Sequence, residues 1–193
     1  MKLSNLTSEN LIVLDAVFDS RIHAIEALTD KIDQEGKLTD RQAFLDAVMK
    51  REEEGPTCLG EHLAVPHGKS SAVTEPVFAC AFVKQELMWN GIDGDEPVNM
   101  IFLLAIPPAE AGSTHMEVLT TLTSSLVEDS FREQLLEAQT EGEVMALFGH
   151  EEEAEIELLD EETPVMARDI SHIAYPVVLG IGVAISALLF LLL

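Results

Sequence analysis

Apolar residues along the chain follow two patterns, short unbroken runs and stretches with helical spacing. Leu11-Ile12-Val13-Leu14 is a short run fit for a strand, while Val77 to Val83 and Val98 to Ile106 are apolar at nearly every position. Strands covered by helices on both faces read this way. Leu63-Ala64-Val65 is a briefer run, closed by Pro66. Between these runs the spacing becomes helical. Ser20 is a fitting N-cap for a helix with Ile22, Ile25, Ala27, Leu28 and Ile32 inward, ended by Gly36. Thr39 and Gln42 stand at capping-box spacing ahead of a second helix with Ala43, Phe44, Ala47 and Val48 inward. Thr114 and Glu117 open a third, with Val118, Leu119, Leu122 and Leu126 inward, and shorter helices are predicted over 129–138 and 141–148. Gly91 to Asp95 is a turn. The alternation predicts an α/β domain over residues 1–149.

The pattern changes after Gly149. Glu151 to Glu162 holds eight acidic residues among twelve, so 150–172 reads as a solvated linker or, alternatively, as a recognition tail for a basic partner. Residues 173–193 carry no charge over 21 positions, enough for one helix to span the roughly 30 Å hydrocarbon core of a bilayer. One C-terminal transmembrane helix is therefore predicted.

Composition narrows the function. A formal net charge of -24 argues against nucleic acid and against docking on anionic lipid surfaces. The N-terminus lacks the apolar core of a signal peptide. Cys58 and Cys80 have no paired spacing, which favours neither a disulfide framework nor a zinc site. His62 and His67 are five apart, a weak metal signal, and no metal is assigned.

Three polar residues occupy positions where chemistry is plausible. His67 lies between Pro66, which cannot donate a ladder hydrogen bond, and Gly68, which lets the chain turn; this predicts an imidazole at the carboxyl end of a strand, where open α/β sheets carry their sites. A structural histidine in a turn fits the spacing too. His115 falls on the inward face of the third helix at its N-terminus, where the dipole welcomes an anion, and also fits a satisfied core histidine. Arg51 ends the apolar stripe of the second helix. Its guanidinium suits either phosphate or a buried carboxylate such as Glu52 or Glu53.

Together these positions resemble the fructose and mannitol type IIA domain of the bacterial phosphoenolpyruvate-dependent sugar phosphotransferase system. The resemblance is carried by Arg51-Glu52, by Thr57 through Lys69 with its Ala64-Val65-Pro66-His67 core, by Met88-Trp89 before Asp93-Gly94, by Ile101 to Ala105 with Pro107, and by His115-Met116. It extends from about Leu11 to Phe148. It implies a mixed sheet of about five strands flanked by helices. It also implies that His67 accepts phosphate through Nε2 from the carrier HPr and passes it to a cysteine of an EIIB domain, with Nδ1 held by a backbone carbonyl. The family's second histidine falls on His115 and its active-site arginine on Arg51. No cofactor or metal is implied, since the donor is an activated phosphoramidate.

Two departures stand out. His62 replaces a glycine usual in the family pattern, at a position suited to positive φ, which makes it a possible extra participant. The membrane segment follows without an EIIB cysteine or a multi-span EIIC channel. The expected arrangement is a domain on the cytoplasmic side of the cell membrane, single-pass and tethered near EIIB/EIIC permease components. The alternatives are a tethered regulatory protein whose phosphorylation controls partner binding, and a piece of a longer permease.

Overall fold

The computed structural model describes residues 2–108 and 114–149, with side chains over 2–108 and 120–149. Helices cover both faces of a mixed six-stranded sheet. The strands are β1 (Ile12–Ala16), β2 (Cys58–Gly60), β3 (Leu63–Ala64), β4 (His67–Lys69), β5 (Val77–Gly91) and β6 (Gly94–Ile106). Their order is β1-β5-β6-β3-β2, with β4 also on β6. β5 and β6 form the antiparallel centre, β1 runs parallel to β5, and β3 and β4 run parallel to β6.

The apolar runs foresee the middle of the sheet. Beyond Val83 the strand β5 continues as an arm whose side chains alternate, with Leu87 and Trp89 buried and Glu86 and Met88 exposed. The expected turn shrinks to Ile92 and Asp93 between the paired Gly91 and Gly94.

On one face lie α1 (Arg21–Gln34) and α2 (Arg41–Glu54), packing Ile25, Leu28, Phe44 and Val48 against Ala79, Ile101 and Leu103. The other face carries α3 (Thr114–Val127), α4 (Asp129–Glu137) and α5 (141–149). There Leu122, Leu126, Leu135 and Phe148 close over Phe78, Phe102 and Leu104. Phe148 meets the Phe78 ring edge-on at 5.5 Å, a geometry aromatic quadrupoles favour.

Helix starts and faces differ in detail from the expectation. Ser20 does cap α1, its hydroxyl accepting from the His23 N–H at 3.2 Å. The second helix is capped by Asp40 instead of Thr39: the Asp40 carboxylate accepts from the Ala43 N–H at 3.0 Å, while the Thr39 N–H donates to the Ala72 carbonyl at 2.7 Å. Ile22 is exposed and Ala24 takes the inward position on α1; on α2, Ala43 is exposed and Leu45 buried. No helix among the described residues is long and apolar enough to cross a membrane. The predicted linker over 150–172 and membrane helix over 173–193 lie outside them.

Candidate functional site

β3 and β4 occupy one track along β6. Leu63 and Ala64 pair with Met100 and Ile101, and His67, Gly68 and Lys69 pair with Leu104, Ala105 and Ile106 in unchanged register. Val65 and Pro66 interrupt that track. Pro66 has no N–H to give, although its carbonyl still accepts from Leu104 N–H at 3.0 Å. The interruption places the Val65 carbonyl 2.9 Å from Nδ1 of His67.

His67 thus begins a short strand and does not end one. Gly68 likewise extends the chain instead of turning it. A Cβ there would lie 2.6 Å from Val48 Cγ2 and 3.1 Å from both Phe44 Cε2 and the Val48 backbone nitrogen, so glycine is what lets α2 lie directly on β4. Close packing at this point carries the C-terminal turn of α2, and Arg51 with it, to the histidine.

Arg51 and His67 meet side chain to side chain. The guanidinium donates from Nε to His67 Nε2 at 3.1 Å and from Nη1 to the Gly55 carbonyl at 2.9 Å. Because a carbonyl can only accept, Nδ1 carries the ring proton; because a guanidinium can only donate, Nε2 carries a lone pair. Both contacts select the same neutral tautomer. Such an imidazole is a nucleophile at Nε2 with a permanent positive charge beside it.

Behind Arg51 is a second group of contacts. Thr57 donates its hydroxyl to Glu52 Oε1 at 2.5 Å, and the indole N–H of Trp89 is shared between Glu52 Oε2 at 3.2 Å and Thr57 Oγ1 at 3.0 Å. Thr57 and Trp89 are buried. Burial pushes the Glu52 carboxyl above its ordinary range, and the hydrogen bonds from Thr57 and Trp89 and the charges of Arg21 and Arg51 oppose that rise. Burial likewise raises the Cys58 thiol. The sequence offers Glu52 as a carboxylate partner for Arg51; its described hydrogen bonds come instead from Thr57 and Trp89, while Arg51 donates to His67 and Gly55. Thr57 and Trp89 fall in segments that carry the resemblance, but spacing alone gives them no role.

The remaining expected participants are His115 and His62. His115 is in the first turn of α3, and its side chain is outside those described. His62 has a left-handed backbone, φ 59°, next to Glu61 at φ 50°. Its Nδ1 pairs with Glu86 Oε1 at 3.0 Å, and its carbonyl accepts from Asn99 and Met100. These contacts tie His62 to the β5 and β6 arms. Arg132, which no sequence pattern singles out, is buried: it donates to the carbonyls of Leu126 and Val127 at 2.7 and 2.8 Å and pairs with Glu61 at 3.2 Å and with Asp129. It ties the end of α3 to the β2–β3 turn.

A mixed-sheet α/β domain that brings an arginine onto a proton-fixed histidine has the build of a phosphotransferase component. The family described as the phosphoenolpyruvate-dependent sugar phosphotransferase system, EIIA 2, matches residues 5–151, and the chain belongs to it. It is 47% identical over 146 residues to the 2-O-alpha-mannosyl-D-glycerate-specific EIIABC component of Escherichia coli strain K12, covering 76% of this chain and 22% of that protein. It is 32% identical over 145 residues to the fructose-specific EIIABC component of Bacillus subtilis strain 168, covering 75% and 22%. The chain's match therefore spans about a fifth of the length of these relatives. The fructose-specific EIIA component of Haloferax volcanii is 35% identical over 138 residues, 72% of this chain and 88% of that protein. Among solved structures, the nitrogen regulatory protein IIA-Ntr from Neisseria meningitidis matches with a TM-score of 0.69 at 27% identity, over 76% of this chain and 98% of that one. The fold is shared with the Escherichia coli IIA mannitol enzyme in its complex with phosphorylated IIB, at a TM-score of 0.62 and 24% identity, over 74% and 98%.

Proposed function

We propose that His67 accepts a phosphoryl group from the phosphohistidine of HPr and hands it to a cysteine of an EIIB domain during sugar uptake. The observation that supports this reading most is the tautomer defined by two contacts, Val65 carbonyl to Nδ1 and Arg51 Nε to Nε2, in a member of the EIIA 2 family. In the transfer, the Nε2 lone pair attacks phosphorus in line as the donor's N–P bond breaks. Nδ1–H stays on the Val65 carbonyl and stabilises the positive charge that grows on the ring. Arg51 has to leave Nε2 for this, and its natural next partner is a phosphoryl oxygen, which a guanidinium grips in a bidentate manner. Its hold on Gly55 keeps it near while it moves. His115 is assigned to a phosphoryl oxygen as well, from its place in the first turn of α3.

The same Nε2–P bond is then attacked by the EIIB thiolate, which returns His67 to its neutral form. Sugar specificity belongs to the permease in this scheme, because the EIIA domain handles only phosphate. Residues 173–193 would tether the domain to the cell membrane on its cytoplasmic side and raise its effective concentration near EIIB and EIIC.

The direct test incubates the full chain with phosphorylated HPr and measures acid-labile phosphate. Wild type should be labelled and His67→Ala should not. Equal labelling of both would remove His67 from the role. Protease treatment of intact cells should spare the domain until lysis, and cleavage from outside would reverse the proposed orientation.

A further inference from the structure

We infer that Thr57 is a positioning residue for the Arg51–His67 pair, acting with Glu52 and Trp89 as a clamp on the loop that orients the arginine. The inference rests on the proposed function for its catalytic meaning, although its geometry stands without it.

Arg51 has two described hydrogen bonds, and one goes to the carbonyl of Gly55, the residue just past the end of α2. The direction of that carbonyl decides where the guanidinium can point. Gly55 has no side chain to fix it, and its φ of 167° is ordinary extended backbone. Order must come from the next residues along the loop. Pro56 locks its own φ, and Thr57 is the first residue beyond it with a side chain able to bond. Thr57 is 2% exposed, and its hydroxyl both donates to Glu52 and accepts from Trp89.

Glu52 is the residue after Arg51 on the same helical turn. The clamp therefore closes a ring: from Arg51 along the backbone to Glu52, across to Thr57, back through Pro56 to the Gly55 carbonyl, and across to Arg51 again. Trp89 anchors the ring to β5, since its indole N–H reaches both Glu52 and Thr57 and its ring is fully buried. The backbone of Thr57 is also pinned, its carbonyl accepting from the Val65 N–H at 2.9 Å. Val65 is the residue whose carbonyl holds His67 Nδ1. Thr57 thus touches the support of both partners: through its side chain the loop that aims Arg51, and through its backbone the residue that aims His67.

The test compares Thr57→Val, which keeps the shape and removes the hydroxyl, with Thr57→Ser, which keeps the hydroxyl. The full chain is labelled with 15N at histidine, and the Nε2 resonance of His67 is read in the unphosphorylated protein. Thr57→Val should move that resonance toward the position of a nitrogen without a donor and slow labelling by phosphorylated HPr by about tenfold to a hundredfold. Thr57→Ser should stay near wild type in both. Should Thr57→Val not fold, Glu52→Gln is the second reading: its amide supplies one oxygen where the carboxylate supplied two, so it should move the resonance in the same direction by less. An unchanged His67 resonance in a folded Thr57→Val or Glu52→Gln protein would overturn the inference, as would equal movement in the Val and Ser variants. Failure of wild type to accept phosphate would strike the proposed function alone, because the resonance reports on Arg51 and His67 without any transfer.

Discussion

Arg51 Nε lies 3.1 Å from His67 Nε2, so in the unphosphorylated protein the nitrogen expected to attack is already bonded to the positive charge expected to steady the product. One contact guards the lone pair and selects the tautomer that possesses it.

Replacement of Arg51 by Lys should therefore do more than shorten a side chain. An ammonium offers three donors on a flexible stem and no planar fork, and it cannot meet Nε2 and the Gly55 carbonyl in the same geometry. Phosphoryl transfer to His67 should fall by roughly a hundredfold, on the scale of losing one preorganised donor from a reaction site. Rapid-quench measurement of labelling by phosphorylated HPr checks this, with unchanged circular dichroism as the control.

Gly68→Ala should damage stability and chemistry together. The added Cβ would stand 2.6 Å from Val48 Cγ2 and 3.1 Å from the Val48 backbone, and backbone does not swing aside. An overpacking loss of about 1–3 kcal/mol is expected. Since α2 must lift from β4, Arg51 should lose contact with His67 as well. Urea unfolding and the transfer assay on the same protein test both halves; a stable, fully active Ala variant would contradict the close-packing account.

Glu52 sets a pH dependence whose sign can be worked out. Burial raises its folded-state pKa above the ordinary value of 4.5, so between that value and the raised one the folded protein holds a proton that the unfolded chain has released. The contribution of Glu52 to stability is thus full below pH 4.5 and declines as pH rises through the folded pKa. Glu52→Gln abolishes this titration. Its stability relative to wild type should improve from acidic to neutral pH, as read from urea midpoints across that range, and a difference that shrinks with rising pH would contradict the sign.

His62 invites a backbone test. At φ 59° an L-residue is strained by roughly 1–2 kcal/mol, and glycine is not. Both His62→Gly and His62→Ala delete the half-exposed pair with Glu86, so their difference isolates the backbone. The Gly variant should be the more stable of the two by about 1 kcal/mol, measured by thermal or chemical unfolding. Equal stabilities would mean that the turn relaxes to a negative φ.

Much of the architecture could be read from the chain because burial on both sides leaves an unmistakable mark. Val98 to Ile106 is such a run, and it became the middle of the sheet. Elements that lack that mark stayed hidden. The strands Cys58–Gly60 and His67–Lys69 are three residues each, too short for any period to show. The arm of β5 past Val83 presents Lys84, Gln85 and Glu86 to solvent before alternation resumes, so it resembles a loop. Asp40 displaced Thr39 as the cap because Thr39 is engaged by Ala72, a contact between distant segments. At the site, Arg51 and His67 could be singled out from the sequence, but the clamp behind them could not. Glu52 lies on α2, Thr57 in the loop that follows it and Trp89 on β5, and only the folded chain brings Trp89 to the other two.

The break at Val65-Pro66 also bears on the edge of the sheet. β4 pairs with β6 and, among the described residues, with no strand on its other side, so it is an open sheet edge. Open edges invite a strand from another molecule. This one is short, preceded by a residue without an N–H, backed at Gly68 by α2, and marked at Lys69 by an exposed charge. The backbone irregularity that spares a carbonyl for His67 thus also makes a poor template for edge-to-edge pairing with another strand.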